Sequence, residues 1–457
     1  MTDQATTLAR ETTGQMLRRR FRSPAAWCEA VDLFAILTVA SLPWSTSLAA
    51  IFNVAFLACM VPFLDVRAFL QSLKRPIAAA PIALVLLALA GTLWSDAAWG
   101  ARLYAVNPTV KLLVLPVFLY HFERSPRGHW IFIAFLVSCA LLSVMSWLVA
   151  FYPNLTLKSD HLERGIFVKN YIDQSQEFTL CAVALAYPIV MLLRERRYWL
   201  AGLLTALAVS FFVNMAFVVV SRTALVTIPI MFGVFALLHL RWRSIAIISA
   251  ALLAGAALAW QASPQLRKTA DTFASDYTRY VEKGEPTSLG LRLEFWRKSL
   301  GFFAEAPIKG HGTGSTRGLF EAVATPSGHY QASAEVIGNP HNQTLNVAVQ
   351  WGVIGIVVLY AIWILHLLLF RGDGLAHWIG LLVVVQNVFT SLFNSHLFDF
   401  HEGWMYVIGV GVAGGMVIRA RHAEEGGGSR FLNGRAAGKP CTGKSCRDGL
   451  SARSGCT

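Results

Sequence analysis

Charge is what this chain has least of. Only 14% of its 457 residues are Asp, Glu, Lys or Arg, where a soluble domain carries about 25%. That shortage excludes a soluble globular chain. Catalytic signatures are missing too. There is no Asp-x-Asp, no Gly-x-Ser-x-Gly elbow and no His-Glu-x-x-His, which argues against hydrolases and zincins. Hard cations such as Mg²⁺ want oxygen ligands. No carboxylate cluster is evident on the side that carries the candidate site, so metal-independent chemistry is expected. Cysteine gives no framework. Cys28, Cys59, Cys139 and Cys181 fall in or beside apolar runs and read as small core residues. Cys441, Cys446 and Cys456 lie in a Gly/Ser/Arg-rich tail, without the second pair or His partner of a zinc site. No internal repeat, no broken helix and no cleavable signal peptide is evident.

Long apolar runs are what is there. Hydrophobic residues make up 55% of the chain and mean hydropathy is +0.52. A spanning helix needs roughly 20 apolar residues. The fold class expected is therefore all-α, a polytopic membrane protein with about twelve spans. Their limits fall at 28–45, 47–64, 77–94, 106–122, 130–151, 177–193, 199–218, 222–240, 243–260, 342–370, 375–393 and 403–420. The run 199–240 holds one charge, Arg222, and is too long for one crossing, so two helices meet near Ser221-Arg222. A barrel would instead show alternating segments of about 10 residues.

The net charge of +13 follows from topology rather than nucleic-acid binding. Alternate loops carry Arg18 to Arg22, Arg67/Lys74/Arg75, Arg124/Arg127, Arg194/Arg196/Arg197, Arg241/Arg243, Arg371 and Arg419/Arg421. By the positive-inside rule those loops and both termini are cytoplasmic. The divisions are then a cytoplasmic segment 1–27, spans over 28–260, an extracytoplasmic loop 261–341, spans over 342–420, and a disordered cytoplasmic tail 421–457.

The loop is where polar residues gather. Pro286 and Pro307 bracket an expected amphipathic helix, with Leu289, Leu293, Trp296 and Leu300 at helical spacing. Arg222 inside an apolar run needs water or an anion, having no acid near it in sequence; otherwise it marks a turn and snorkels. Arg292 is either a surface residue stacked on Trp296, one helical turn on, or a bidentate phosphate ligand. His341 is either a helix-start residue beside the capping Asn339 or Asn342, or a base able to take a proton at neutral pH. Gly310-His311-Gly312-Thr313-Gly314 lacks the Walker ending and reads as a tight turn carrying His311 or its backbone amides toward something. In the loop 152–176, Arg164 and Lys169 are reserve anion contacts; Lys158, His161, Asp173 and Gln174 read as solvated.

Together these features resemble the O-antigen ligase and polymerase superfamily. The resemblance is carried by Ser221-Arg222-Thr223 between paired spans, Gly290-x-Arg292-x-x-x-Trp296, Gly310-x-Gly312-x-Gly314, and Pro340-His341-Asn342-x-x-Leu345 with Gly352 and Gly355 beyond. It covers roughly residues 28–420 and not the tail. Within the family the O-antigen ligases are most similar, with the polymerases and protein O-oligosaccharyltransferases as sister activities and a lipid-linked glycan transporter as the alternative of another class. The resemblance implies a C-type membrane glycosyltransferase fold in the bacterial inner membrane. It implies transfer of O-antigen polysaccharide from undecaprenyl pyrophosphate to a sugar hydroxyl of lipid A–core at the periplasmic face, with inversion and without metal or cofactor. Arg222 and Arg292 would hold the pyrophosphate, and His341 would activate the acceptor hydroxyl.

Overall fold

A computed structural model describes residues 24–157, 165–324 and 334–436. Helices form wherever apolar runs must satisfy their own backbone in a medium without water. They are α1 Pro24–Ser41, α2 Thr46–Met60, α3 Val66–Leu73, α4 Pro76–Ala90, α5 Trp99–Val110, α6 Leu115–Phe122, α7 Gly128–Phe151, α8 Tyr171–Ala184 and α9 Ala186–Arg194. They continue as α10 Tyr198–Phe217, α11 Arg222–His239, α12 Trp242–Ala262, α13 Pro264–Lys283, α14 Ser288–Glu305, α15 Thr316–Ala322, α16 Gln343–Leu369, α17 Leu375–Thr390 and α18 Phe400–Ala436. No strand occurs among the described residues.

Ten helical stretches among the described residues are long and apolar enough to cross a membrane. The other two expected spans coincide with α1, which carries Glu29 and Asp32, and with α17, an apolar helix shorter than the rest. Of these ten stretches, Phe400–Glu425 in α18 is the most enclosed. Its Gly411 and Gly415 leave no room for a side chain beside Phe118 and Phe122 of α6, so the two backbones approach closely. α12 buries none of its residues.

Polar contacts sort to two ends of the bundle. At one end Arg75 holds Glu123 in a bidentate pair (2.7 and 3.0 Å), and Arg421 donates to the carbonyl of Leu369. At the other end lie the 165–176 stretch, the α10–α11 junction, α13 to α15, and the 391–399 turn.

Three expectations need correction. A broken helix was not anticipated, yet α16 is broken at Gly352 (φ 60°, ψ −152°). Four of the groups the break frees are paired elsewhere. Val349 and Gln350 carbonyls accept from His311 and Gly312 amides, while Val353 and Ile354 amides donate to Pro307 and Ile308 carbonyls. The glycine loop is therefore the patch for a severed ladder, and Thr313 pins it by donating to Ala88 and accepting from Trp351. The helix around Arg292 buries Gly290, Glu294, Phe295, Ser299 and Phe302 rather than the leucine stripe; Leu300 is exposed. Its partner is α16, whose contact surface selects the aromatic face. Finally, α18 continues as helix through Ala436, beyond the expected start of a disordered tail. An established helix adds further residues without repeating the nucleation cost.

Candidate functional site

Three of the expected site residues converge at the second end. Arg222 is the first residue of α11, whose N-cap Ser221 makes no side-chain capping bond. The Ser221 hydroxyl is buried without a hydrogen-bond partner. An uncapped helix start with a guanidinium on it is an electropositive pocket. The acid that Arg222 lacked in sequence arrives through the fold: Nη1 donates to Asp276 of α13 at 2.9 Å, and Phe273 lies 5.8 Å beneath the guanidinium.

Arg292 sits within electrostatic reach of Arg222 and of His341. Among the described residues it has no ion pair, and no cation–π contact joins it to Trp296. Trp296 instead packs with Phe295, Phe302 and Phe320, its indole N–H buried without an acceptor. Glu294 turns away and takes Arg297 at 2.7 and 3.0 Å.

His341 adopts a left-handed backbone (φ 54°), which costs a non-glycine residue about 1–3 kcal/mol and persists only where its surroundings enforce it. Here Asn339 Oδ1 accepts from both the His341 amide (3.0 Å) and Ser395 Oγ (2.7 Å). The twist aims the imidazole at the 391–399 turn. Nδ1 lies 2.8 Å from Asn394 Oδ1, and the ring stacks at 6.2 Å on Phe295. Burial lowers the His341 pKa; the Asn394 bond opposes this and the charge of Arg292 reinforces it. The imidazole is neutral at pH 7.

The remaining expected residues divide differently. Asn342 caps α16, accepting from the Leu345 amide at 3.0 Å. His311 is tied to the Phe302 carbonyl at 2.7 Å. Lys169, expected as an anion contact, is turned inward: it donates to the Leu42 carbonyl and lies 3.8 Å from Glu177. Arg164 lies outside the described residues, as do Lys158 and His161.

A second group was missed by the sequence reading, and it corrects the expectation that carboxylates do not cluster here. Asp173 pairs with His401 at 2.6 Å. His396 Nε2 is 4.0 Å from Asp399 and 3.9 Å from Glu402. Asn394 Nδ2 donates to Asp399 at 2.6 Å, and Lys111 donates to the Phe398 and Asp399 carbonyls. Burial raises the Asp399 pKa to about 6 against the opposing charge of Lys111. Burial lowers that of His396 to about 4. The signal was in the chain: ionisable residues in or beside spans are costly and default to function, and 394–402 is dense with them.

The fold and this site define a class, an all-α polytopic membrane protein with an electropositive, imidazole-bearing polar centre at one end of its bundle. A family model described as O-antigen ligase matches residues 207–360, the stretch holding Arg222, Arg292 and His341. That match supports membership of the O-antigen ligase/polymerase superfamily, whose members are membrane glycosyltransferase-like enzymes. No curated protein matches it.

Proposed function

We propose that this protein is an O-antigen ligase. It moves a polysaccharide from undecaprenyl pyrophosphate to a sugar hydroxyl of lipid A–core at the periplasmic face of the inner membrane. The observation that carries this is the convergence of Arg222, Arg292 and His341 from three distant stretches. Arg292, half-buried and without an ion partner among the described residues, is a cation held ready for an anion. Arg222, already paired with Asp276, adds a second guanidinium at the uncapped, positive start of α11.

The chemistry follows from those groups. The bond between the anomeric carbon and the pyrophosphate oxygen breaks, and its electron pair stays on the pyrophosphate. Two fixed guanidiniums stabilise that growing charge in a partly dry site, in the role a metal has elsewhere. The acceptor oxygen forms the new glycosidic bond from the opposite face, and its proton passes to His341. In-line attack inverts the anomeric centre. An apolar cavity of 310 Å³, lined by residues that include Leu42, Leu180, Met405, His129 and Leu375, suits a polyprenyl chain.

The test is reconstitution with lipid-linked glycan, with and without core-lipid acceptor. Modified core lipid supports the ligase. Elongated donor in the absence of core lipid identifies a polymerase and overturns it.

A further inference from the structure

We infer that Asn394 is a positioning residue: it holds His341 in the tautomer with its proton on Nδ1, leaving Nε2 bare to accept the proton of the acceptor hydroxyl. This rests on the reading of His341 as base. Asp399, Asn394 and His341 form a hydrogen-bonded chain of three side chains.

Asp399 Oδ2 lies 2.6 Å from Asn394 Nδ2. An ionised carboxylate can only accept. The amide must therefore turn its NH₂ toward Asp399 and its carbonyl toward His341. That carbonyl, 2.8 Å from Nδ1, can also only accept, so Nδ1 must donate. A neutral imidazole has one N–H; with it committed to Nδ1, Nε2 carries the lone pair. An unconstrained imidazole favours the opposite tautomer. The fold thus selects the form that ordinary chemistry disfavours.

Each member of the chain is itself held. The Asp399 amide donates to the Ser395 carbonyl at 3.0 Å, and its own carbonyl accepts from Lys111. Lys111 brings a cation beside the carboxylate and favours its ionised form. Ser395 donates to Asn339, which fixes the twisted backbone of His341. One turn, 391–399, therefore sets both where the imidazole lies and which nitrogen is bare.

The experiment is nitrogen NMR of the full chain, labelled in histidine and held in nanodiscs, with the His341 signals assigned by their loss in His341→Gln. The unmodified protein should show a protonated Nδ1 and a bare Nε2. In Asn394→Ala the signals should move toward the Nε2–H form, and kcat should fall at least tenfold, within the roughly 10²–10⁴-fold worth of a placed base, while KM for the donor stays unchanged. The exchange Asn394→Asp with Asp399→Asn keeps an acceptor on Nδ1. It should restore the Nδ1–H signal, recover turnover relative to Asn394→Ala, and move the acid limb of the pH profile upward, because a carboxylate then faces the imidazole. An Nε2–H signal in the unmodified protein overturns the inference, and so does an exchanged pair that recovers neither signal nor turnover. Full turnover by His341→Gln would remove the base reading while leaving the tautomer to be judged on the nitrogen signals alone.

Discussion

At the residue scale, the polar groups here differ in whether another side chain of the protein neutralises them. Arg292 has no ion partner among the described residues, so its removal should cost function and not stability. Arg292→Ala should abolish transfer at unchanged membrane level, and Arg292→Lys should remain impaired, since an ammonium cannot offer a bidentate fork; full activity of the Lys variant in the reconstituted assay would make the contact a simple countercharge. Lys169 is the opposite case. Lys169→Met strands the carboxylate of Glu177 in the interior, where breaking a buried pair costs about 3–5 kcal/mol. A lowered melting temperature with unchanged donor KM is expected. The pH profile follows from His341 and Asp399. His341 must be neutral, and its pKa is lowered. Asp399, faced by Lys111, Asp173, His396 and His401, must be ionised, and its pKa is about 6. Transfer should be level above neutrality and fall as pH drops through about 6.

At the element scale, the break in α16 decides the shape of the site. Gly352 has a backbone conformation open to glycine alone, and a Cβ there would meet the Ile308 and Pro307 carbonyls at 2.4 and 2.6 Å. Gly352→Ala should therefore destabilise by at least about 1–3 kcal/mol, read as a lower melting temperature in detergent. It should also loosen the 310–314 loop, because that loop's amides fill the carbonyls the break exposes. The glycine motif was legible as a turn, but its target was not. A severed helix ladder leaves no mark on hydropathy, since both halves remain apolar.

At the scale of the whole molecule, the bundle separates an apolar interior from polar clusters at its two ends, one of which carries the candidate site. If guanidiniums replace a metal there, EDTA should leave transfer unchanged in the reconstituted assay, and strong inhibition would locate a cation in the mechanism. The twelve apolar runs, their alternating charge and the three residues Arg222, Arg292 and His341 could be read from the chain alone. Burying apolar surface and solvating cations are local demands, visible in any window of about 20 residues. What only the tertiary structure decided is partnership. Asp276 reaches Arg222 across 54 positions, Asn394 reaches His341 across 53, and Lys111 reaches Asp399 across 288. Such pairings depend on how helices pack, and packing between apolar surfaces is set by shape, which no local pattern of residue types encodes.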